Sequence, residues 1–180
     1  MHALIVIANG SEEIETVTCQ DLLVRAGIQV ILASVSGRFV KMSRGLNLLA
    51  DCDIDDVKKQ AFDIVILPGG MPGAANLQKS EVLKELLLQQ HSAGKWLAAI
   101  CAAPAVVLAP LGLLKDQKAT VFPGMEEAIP HYVDAPVVHS GNLITAQGPA
   151  SAMAFALQII EQLRGTVVAK EIAAQILYRP

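Results

Sequence analysis

Several features that would assign a protein to a class at first sight are missing from this sequence. It has no block of basic residues and a formal net charge of −3, so nucleic acid is not expected as a dedicated partner. Its three cysteines, Cys19, Cys52 and Cys101, form no Cys-x-x-Cys pair, which argues against a disulfide framework and against a cysteine-rich zinc site. Free thiols are typical of a reducing compartment, and we therefore expect a cytoplasmic protein.

Motifs for metals, phosphates and membranes are also missing. No metal-ligand spacing occurs, and residues 68–73 lack the Gly-Lys-Ser/Thr of a phosphate-binding loop, so neither a metal nor a cofactor is expected. The N-terminal apolar run has no basic segment before it and predicts a first strand, not a signal peptide. The uncharged stretch 96–114 has nearly the length of a membrane span. Because Pro104 and Pro110 interrupt that stretch, no membrane association is expected.

What is present indicates one α/β domain. The chain has 180 residues, of which 53% are hydrophobic and 17% charged, and this length fits a single domain, residues 1–180. Short apolar runs predict buried strands at 2–8, 28–35, 63–67 and 96–100, and hairpins at 39–50 and 137–145. Capped or amphipathic segments predict helices at 11–26, 53–60, 81–91, 102–111 and 149–164, and one more after Gly165.

The alternation of strands and helices predicts a mostly parallel sheet with helices on both faces. In such sheets the sites lie at the carboxyl ends of the strands. Three strand ends of this chain carry polar residues or glycines, namely residues 9–12, 68–70 and 100–102. We therefore expect the functional site to be built from these segments.

Cys101 is the strongest candidate for chemistry. It lies directly between a predicted buried strand and a predicted helix, at the kind of sharp turn that exposes a nucleophile. The N–H groups at the start of the helix would favour the thiolate and lower the pKa of the thiol. The alternative is a buried cysteine that only fills space, which is the role expected for Cys19 and Cys52.

Glu15 and the pair Gly69–Gly70 are the next candidates. Ser11 is predicted to cap the first helix, which places Glu15 beside the same crevice as Cys101. A nearby thiolate disfavours an ionised carboxyl group, so Glu15 would keep its proton and donate a hydrogen bond. The N–H groups of the two glycines, with that of Ala102, could form an oxyanion hole. The alternatives are a solvated acidic first turn and a tight turn that merely requires glycine.

No histidine is placed by the sequence beside these residues. The four histidines lie at a strand start, a helix end and in the late loop and hairpin: His2, His91, His131 and His139. A Cys–His pair in space stays open, because such partners need not be adjacent in the sequence.

Four segments occur in an order and with a spacing that are specific when taken together. They are residues 10–16 (Gly-Ser-Glu-Glu-Ile-Glu-Thr), 67–70 (Leu-Pro-Gly-Gly), 99–104 (Ala-Ile-Cys-Ala-Ala-Pro) and 147–149 (Gln-Gly-Pro). Over nearly the whole chain, they resemble the ThiJ/PfpI superfamily. Within it, the chain is most similar to the branch of the Parkinsonism-associated protein deglycase and its bacterial relatives.

The resemblance implies a flavodoxin-like three-layer sandwich and a homodimer. It implies that Cys101 is the reactive, readily oxidised cysteine, that Glu15 is its protonated hydrogen-bond partner, and that the Gly70 and Ala102 amides form the oxyanion site. The activities associated with the family are the conversion of methylglyoxal to lactate without glutathione and the removal of early glycation adducts from proteins. Chaperone and oxidative-stress roles are associated with it as well.

The sequence departs from the family pattern at three positions. Phe122 stands where some members carry a catalytic histidine, and this predicts slow turnover. Gln147 stands in place of an arginine, which leaves Arg44 as the match to the family's basic pair and predicts weaker anion binding near Cys101. Ala102 stands where the protease branch has a histidine, which argues against protease activity.

Two functional hypotheses follow. In the first, the protein is an enzyme in which the Cys101 thiolate attacks a small 2-oxoaldehyde or a glycated protein, and Glu15 moves the proton. In the second, Cys101 is oxidised without turnover in a stress sensor or redox-regulated chaperone. We favour the enzyme. A role in thiazole metabolism, which the superfamily's name suggests, finds no support in these residues.

Overall fold

A computed structural model describes residues 1–179. Its strands are β1 (His2–Ile7), β2 (Gln29–Ser34), β3 (Phe39–Lys41), β4 (Asn47–Leu49), β5 (Cys52–Asp53), β6 (Ile64–Leu67), β7 (Trp96–Ile100), β8 (Lys118–Ala119), β9 (His131–Tyr132), β10 (Val137–Ser140) and β11 (Leu143–Ala146). Its α-helices are α1 (Glu13–Arg25), α2 (Ile54–Val57), α3 (Gly73–Gln78), α4 (Glu81–Ser92), α5 (Ala152–Arg164) and α6 (Thr166–Gln175). Short turns of π or 3-10 helix occupy Pro104–Leu108, Ala109–Leu111, Glu126–Ala128 and Pro149–Ser151.

The main sheet has seven strands in the order β10-β11-β7-β6-β1-β2-β5. Neighbouring strands run parallel except β10 and β11, which are antiparallel. Outside this sheet, β3 and β4 form the predicted hairpin, and β8 and β9 form a small parallel pair. The predicted flavodoxin-like arrangement is confirmed, and its parallel strands bring their carboxyl ends to one edge of the sheet.

Alternation along the strands divides the core between the two faces of the sheet. On β1, Ala3, Ile5 and Ile7 pack with residues of α1, α5 and α6. The intervening Leu4 and Val6 pack with residues of α2 and α4. Because both faces are covered, the central strands are apolar throughout, which explains the hydrophobic composition of the chain.

The segment after Cys101 differs from the single helix predicted over 102–111. It folds as a π turn over Pro104–Leu108 and a 3-10 turn over Ala109–Leu111, and the Ala109 N–H donates to the Pro104 carbonyl. Pro110 has no N–H, and its ring crowds the carbonyl four residues earlier, so a regular α-helix cannot continue here.

Several short elements were not predicted. The elements that no sequence pattern predicted are α3, β5, β8 and β9, and α2 covers only part of the helix predicted at 53–60. The helix α3 begins directly after Pro72, where a run of glycine and proline favours a loop, although proline is also well tolerated at a helix start. Strands of two residues carry too little pattern to be detected. None of the helices within residues 1–179 has the length and hydropathy needed to cross a bilayer.

Candidate active site

Cys101 lies at the end of β7 in a strained backbone conformation. Its φ is 63°, in the left-handed region that residues with a side chain rarely adopt. Two hydrogen bonds hold it there: the Cys101 N–H donates to the Ala146 carbonyl at 2.9 Å, and the Cys101 carbonyl accepts from the Phe122 N–H at 3.0 Å. Strain of this kind is concentrated at functional sites. The predicted sharp turn is therefore present, although Cys101 is only 7% exposed.

Gly69, at the end of the neighbouring strand β6, lies directly against the cysteine. A Cβ atom at position 69 would come within 2.6 Å of the Cys101 Cβ and 2.8 Å of the Ile100 carbonyl oxygen. The Gly69 carbonyl accepts a hydrogen bond from the Glu12 N–H at 3.0 Å, so this backbone is fixed on its other side. Glycine is required at position 69 because no side chain fits between the two strand ends.

Glu15 reaches the same place from α1. Its side chain is buried, and its Oε2 accepts a hydrogen bond from the Gly69 N–H at 2.7 Å. Its other oxygen, Oε1, is buried without a hydrogen-bond partner of normal geometry, while the carboxyl group lies within interaction range of the Cys101 thiol. Burial raises the pKa of Glu15 to about 7; the Gly69 N–H and the Cys101 thiol oppose this shift, and the Glu12 carboxylate adds to it. Glu15 therefore holds its proton to a higher pH than an exposed glutamate does.

The start of α1 differs from the prediction. The N-cap is Glu12, whose side chain accepts a hydrogen bond from the Glu15 N–H at 2.9 Å. The prediction that Ser11 caps the helix is wrong. The Ser11 hydroxyl instead accepts a hydrogen bond from the Ala8 N–H at 3.0 Å and closes the turn after β1. Glu12 therefore brings a second carboxylate to the edge of the sheet where Cys101 lies.

The pKa of Cys101 depends on where the Cys101–Glu15 pair keeps its proton. With Glu15 ionised, burial and the Glu15 carboxylate raise the pKa of the thiol to about 12, although the nearby Gly70 and Ala102 N–H groups act to lower it. This is opposite to the predicted lowering, because the thiol is buried beside an acid and only a short turn follows it. When Glu15 holds the proton, the repulsion disappears and the sulfur gains a donor, so the pKa of Cys101 falls.

The predicted oxyanion donors are only partly brought together. Gly70 and Ala102 line the cavity together with Cys101, and their N–H groups act on the sulfur strongly enough to lower the pKa of the thiol, which places them where an oxyanion would develop. Gly70 has a φ of +83°, and a Cβ there would come within 2.7 Å of the Glu12 nitrogen. Gly69 was predicted as a further donor, which is wrong because its N–H holds Glu15.

An open cavity of about 200 Å³ lies over Cys101, and Arg44 lines it as the resemblance implied. The turn that carries Arg44 is fastened to α1, because the Glu13 carboxylate accepts from the Ser43 hydroxyl at 2.8 Å and the Arg44 N–H at 2.6 Å. Although burial acts against it, these hydrogen bonds lower the pKa of Glu13. Gln147 donates to Asp134 at 2.9 Å and is not part of the lining.

The cavity has an apolar wall that the sequence patterns did not predict. It consists of Met71, Ala102, Phe122, Met125 and Pro149, of which Phe122 had been noted only as a departure from the family pattern. Met71 follows Gly70 directly, and this adjacency was the one available signal. Ala102 likewise follows Cys101 directly, but Phe122, Met125 and Pro149 come from later segments that no local pattern connects to Cys101.

The described residues 1–179 place no histidine in the lining of this cavity. The four histidines lie in β1, α4, β9 and β10, so the Cys–His pair that the sequence left open is not formed. Within the same residues, no group of three or more His, Cys, Asp or Glu side chains is arranged to hold a metal ion.

The DJ-1/PfpI family model matches residues 1–162. The chain belongs to this family. Protein dj-1beta of Drosophila melanogaster is 41% identical over 180 residues, which cover 97% of this chain and 96% of the relative. The glutathione-independent glyoxalase DJR-1.2 of Caenorhabditis elegans is 42% identical over 158 residues, which cover 86% of this chain and 84% of the relative.

A solved structure agrees with this assignment. Oxidized Toxoplasma gondii DJ-1 has a TM-score of 0.98 and 42% sequence identity to this chain, with 99% of each chain covered. The family implied by the four sequence segments is therefore confirmed, together with its fold.

Proposed function

We propose that the protein is a glutathione-independent glyoxalase or protein deglycase that acts on methylglyoxal or early glycation adducts through Cys101 and Glu15. The observation that carries the proposal is the buried Glu15 carboxyl group: the Gly69 N–H holds Oε2, and Oε1 is left without a partner beside the thiol. The relative named glutathione-independent glyoxalase, at 42% identity, supports this reaction class.

The reaction starts with the proton on Glu15 and the negative charge on the Cys101 sulfur. The thiolate adds to the aldehyde carbon of methylglyoxal, a C–S bond forms, and the π electrons of the carbonyl move to its oxygen. The Gly70 and Ala102 N–H groups stabilise this oxyanion until Glu15 protonates it. The product of the step is a hemithioacetal.

An internal proton transfer then completes the chemistry. The Glu15 carboxylate removes the proton from the former aldehyde carbon, and a proton is returned to the neighbouring ketone carbon through an enediol. The first carbon is thereby oxidised to a thioester and the second is reduced to an alcohol, so no external redox partner is consumed. Water cleaves the thioester, which releases lactate and restores the Cys101–Glu15 pair. Phe122 cannot carry a proton, so Glu15 serves as both acid and base and we expect slow turnover.

The test is lactate formation from methylglyoxal by the wild type, Cys101→Ala, Glu15→Gln and the control Cys52→Ala. We expect lactate from the wild type and the control, and a loss of about 1000-fold or more in Cys101→Ala, because the covalent step is removed. Equal lactate formation by Cys101→Ala, or none by the wild type, would remove the proposal.

A second candidate function, a sensor or chaperone regulated by oxidation, is favoured by the same donors. A sulfinate at Cys101 would accept hydrogen bonds from Gly70, Ala102 and a protonated Glu15, and the solved T. gondii relative is an oxidized form. Mild peroxide followed by mass analysis should add two oxygens to Cys101. Earlier oxidation of Cys19 or Cys52 would rule this function out.

We also propose a homodimer that forms through α1. Ile14, Val17 and Val24 are 55%, 45% and 52% exposed and are spaced so that they share one side of the helix. Light scattering should give twice the chain mass of 19.1 kDa. A monomer at micromolar concentration would contradict the proposal.

A further inference from the structure

The cavity over Cys101 has an apolar mouth that methylglyoxal does not need. Met71 is 57% exposed and Phe122 is 45% exposed, and both line the cavity together with Met125 and Pro149. Large apolar side chains grouped and exposed around a concave surface indicate a binding site for an apolar group. A three-carbon aldehyde that is bonded to Cys101 would leave most of this wall in contact with water.

The Phe122 ring is fixed in relation to the nucleophile. The Phe122 N–H donates to the Cys101 carbonyl at 3.0 Å, and its own carbonyl accepts from the Met125 N–H at 3.2 Å. The ring also lies against Gly148, where a Cβ atom would come within 3.3 Å of the Phe122 Cδ2. The two hydrogen bonds fix the backbone of Phe122 relative to Cys101, and the ring packs beside Gly148, so an exposed ring face is presented at a defined distance from the nucleophile.

We infer that the cavity selects 2-oxoaldehydes with an aryl or similarly bulky apolar substituent over methylglyoxal, and that Phe122 is the specificity-determining residue. This inference rests on the proposed function. With the aldehyde carbon on the Cys101 sulfur and the oxyanion on the Gly70 and Ala102 amides, the substituent lies along the apolar wall. An aryl group there pairs with the Phe122 ring and with two methionine sulfurs, contacts that a methyl group cannot provide.

The volume and charge of the cavity favour a small molecule of this kind. A cavity of about 200 Å³ has room for an aryl aldehyde. Among the described residues of the lining, Arg44 carries the positive charge and Glu12 a negative one. Arg44 can pair with the carboxylate of the 2-hydroxy acid that the reaction produces, which leaves the apolar wall for the substituent.

The test compares kcat/KM for phenylglyoxal and methylglyoxal in the wild type, in Phe122→Ala and in the matched control Phe39→Ala, whose ring is 67% exposed outside the cavity lining. For each protein, kcat/KM for phenylglyoxal is divided by kcat/KM for methylglyoxal. When this ratio is compared between two proteins, the intrinsic reactivity of the aldehydes cancels. We expect Phe122→Ala to lower the phenylglyoxal preference about tenfold, and Phe39→Ala to leave it unchanged. Rates are taken from the initial phase of the reaction, and the intact mass of each protein is measured afterwards, so that modification of its arginine side chains by the aldehydes is excluded. An unchanged preference in Phe122→Ala, or an equal loss in Phe39→Ala, would overturn the inference.

A second readout separates failure of the inference from failure of the proposed function. The reaction products mandelate and lactate are each tested for protection of Cys101 against alkylation by iodoacetamide. We expect mandelate to protect at about tenfold lower concentration than lactate in the wild type, and this advantage to be lost in Phe122→Ala. If neither aldehyde gives a 2-hydroxy acid, the proposed function fails and the protection experiment decides the inference alone. Equal protection by the two acids would then overturn it.

Discussion

Cys101 and Cys52 show how differently one fold can surround the same side chain. Cys52 lies in the two-residue edge strand β5 and is more exposed than Cys101, which is 7% exposed at the end of the central strand β7. Burial and the nearby carboxylates of Asp56, Asp51 and Asp53 raise the pKa of Cys52. Cys101 also has an acidic neighbour, but the nearby Gly70 and Ala102 N–H groups act to lower the pKa of its thiol. The two thiols are therefore distinguished by their neighbours and not by their exposure. Only Cys101 has both nearby backbone N–H groups and a buried acid, Glu15, that can keep a proton.

The largest effect is expected where the backbone is packed against Cys101. Gly69→Ala would place a Cβ atom 2.6 Å from the Cys101 Cβ and should lower the free energy of unfolding by about 4 kcal/mol. The control is Gly37→Ala, in the loop after β2, the strand that pairs with β5. Gly37 has a φ of +81° and nothing within 4 Å of its added Cβ, so only the backbone cost of about 1 kcal/mol applies. Denaturant unfolding measures both, and equal losses would show that the two strand ends can move apart.

A smaller effect on the free energy of unfolding is expected from the buried Glu15 carboxyl group. The variant Cys101→Ala isolates this effect, because it removes the thiol that can exchange a proton with Glu15. The folded-state pKa of about 7 lies above the usual value of 4.5, so the folded protein binds the Glu15 proton more tightly than the unfolded chain does. The resulting stabilisation is complete below about pH 4.5 and is lost as the pH rises to about 7. We expect a loss of about 3 kcal/mol across this window.

The same denaturant titration in the double variant Cys101→Ala/Glu15→Gln provides the control. The amide that replaces the carboxyl group cannot ionise, so the Glu15 contribution of about 3 kcal/mol between the two pH values should be absent from the double variant, while the contributions of all other groups stay the same. A pH dependence that is identical in the two proteins would mean that Glu15 does not carry the buried proton.

The sequence allowed the elements of the site to be predicted but not the connections between them. Cys101 between a strand and a helix, and Gly69–Gly70 after a strand, are local patterns, and Glu15 was found from its place in the first helix. The hydrogen bond from the Gly69 N–H to Glu15 depends on how α1 lies against β6, which no local pattern specifies. For the same reason, the ring of Phe122 could be interpreted as a missing histidine but not as a wall of the cavity.

Two predictions made from local sequence patterns were wrong, namely the cap of α1 and the pKa of Cys101. In each case a competing interaction in the folded protein decides the outcome. Ser11 and Glu12 can both cap α1, and the choice is made by the turn after β1, which uses the Ser11 hydroxyl. The pKa of Cys101 was expected to be lowered by the amides at the start of a following helix, but burial and the neighbouring Glu15 carboxylate outweigh those amides and raise it to about 12. The remaining lowering influence comes from two individual amides and from the protonation of Glu15.

The location of the shared proton is the central claim, and the pH dependence of Cys101 alkylation by iodoacetamide tests it most directly. The rate is followed by peptide mass analysis in the wild type and Glu15→Gln, with Cys52 as the internal reference that should be the same in both. If Glu15 is the protonated donor, replacing it by the weaker amide donor raises the pKa of Cys101. A lower pKa of Cys101 in Glu15→Gln would show that Glu15 carries the negative charge beside a neutral thiol, and would contradict the claim.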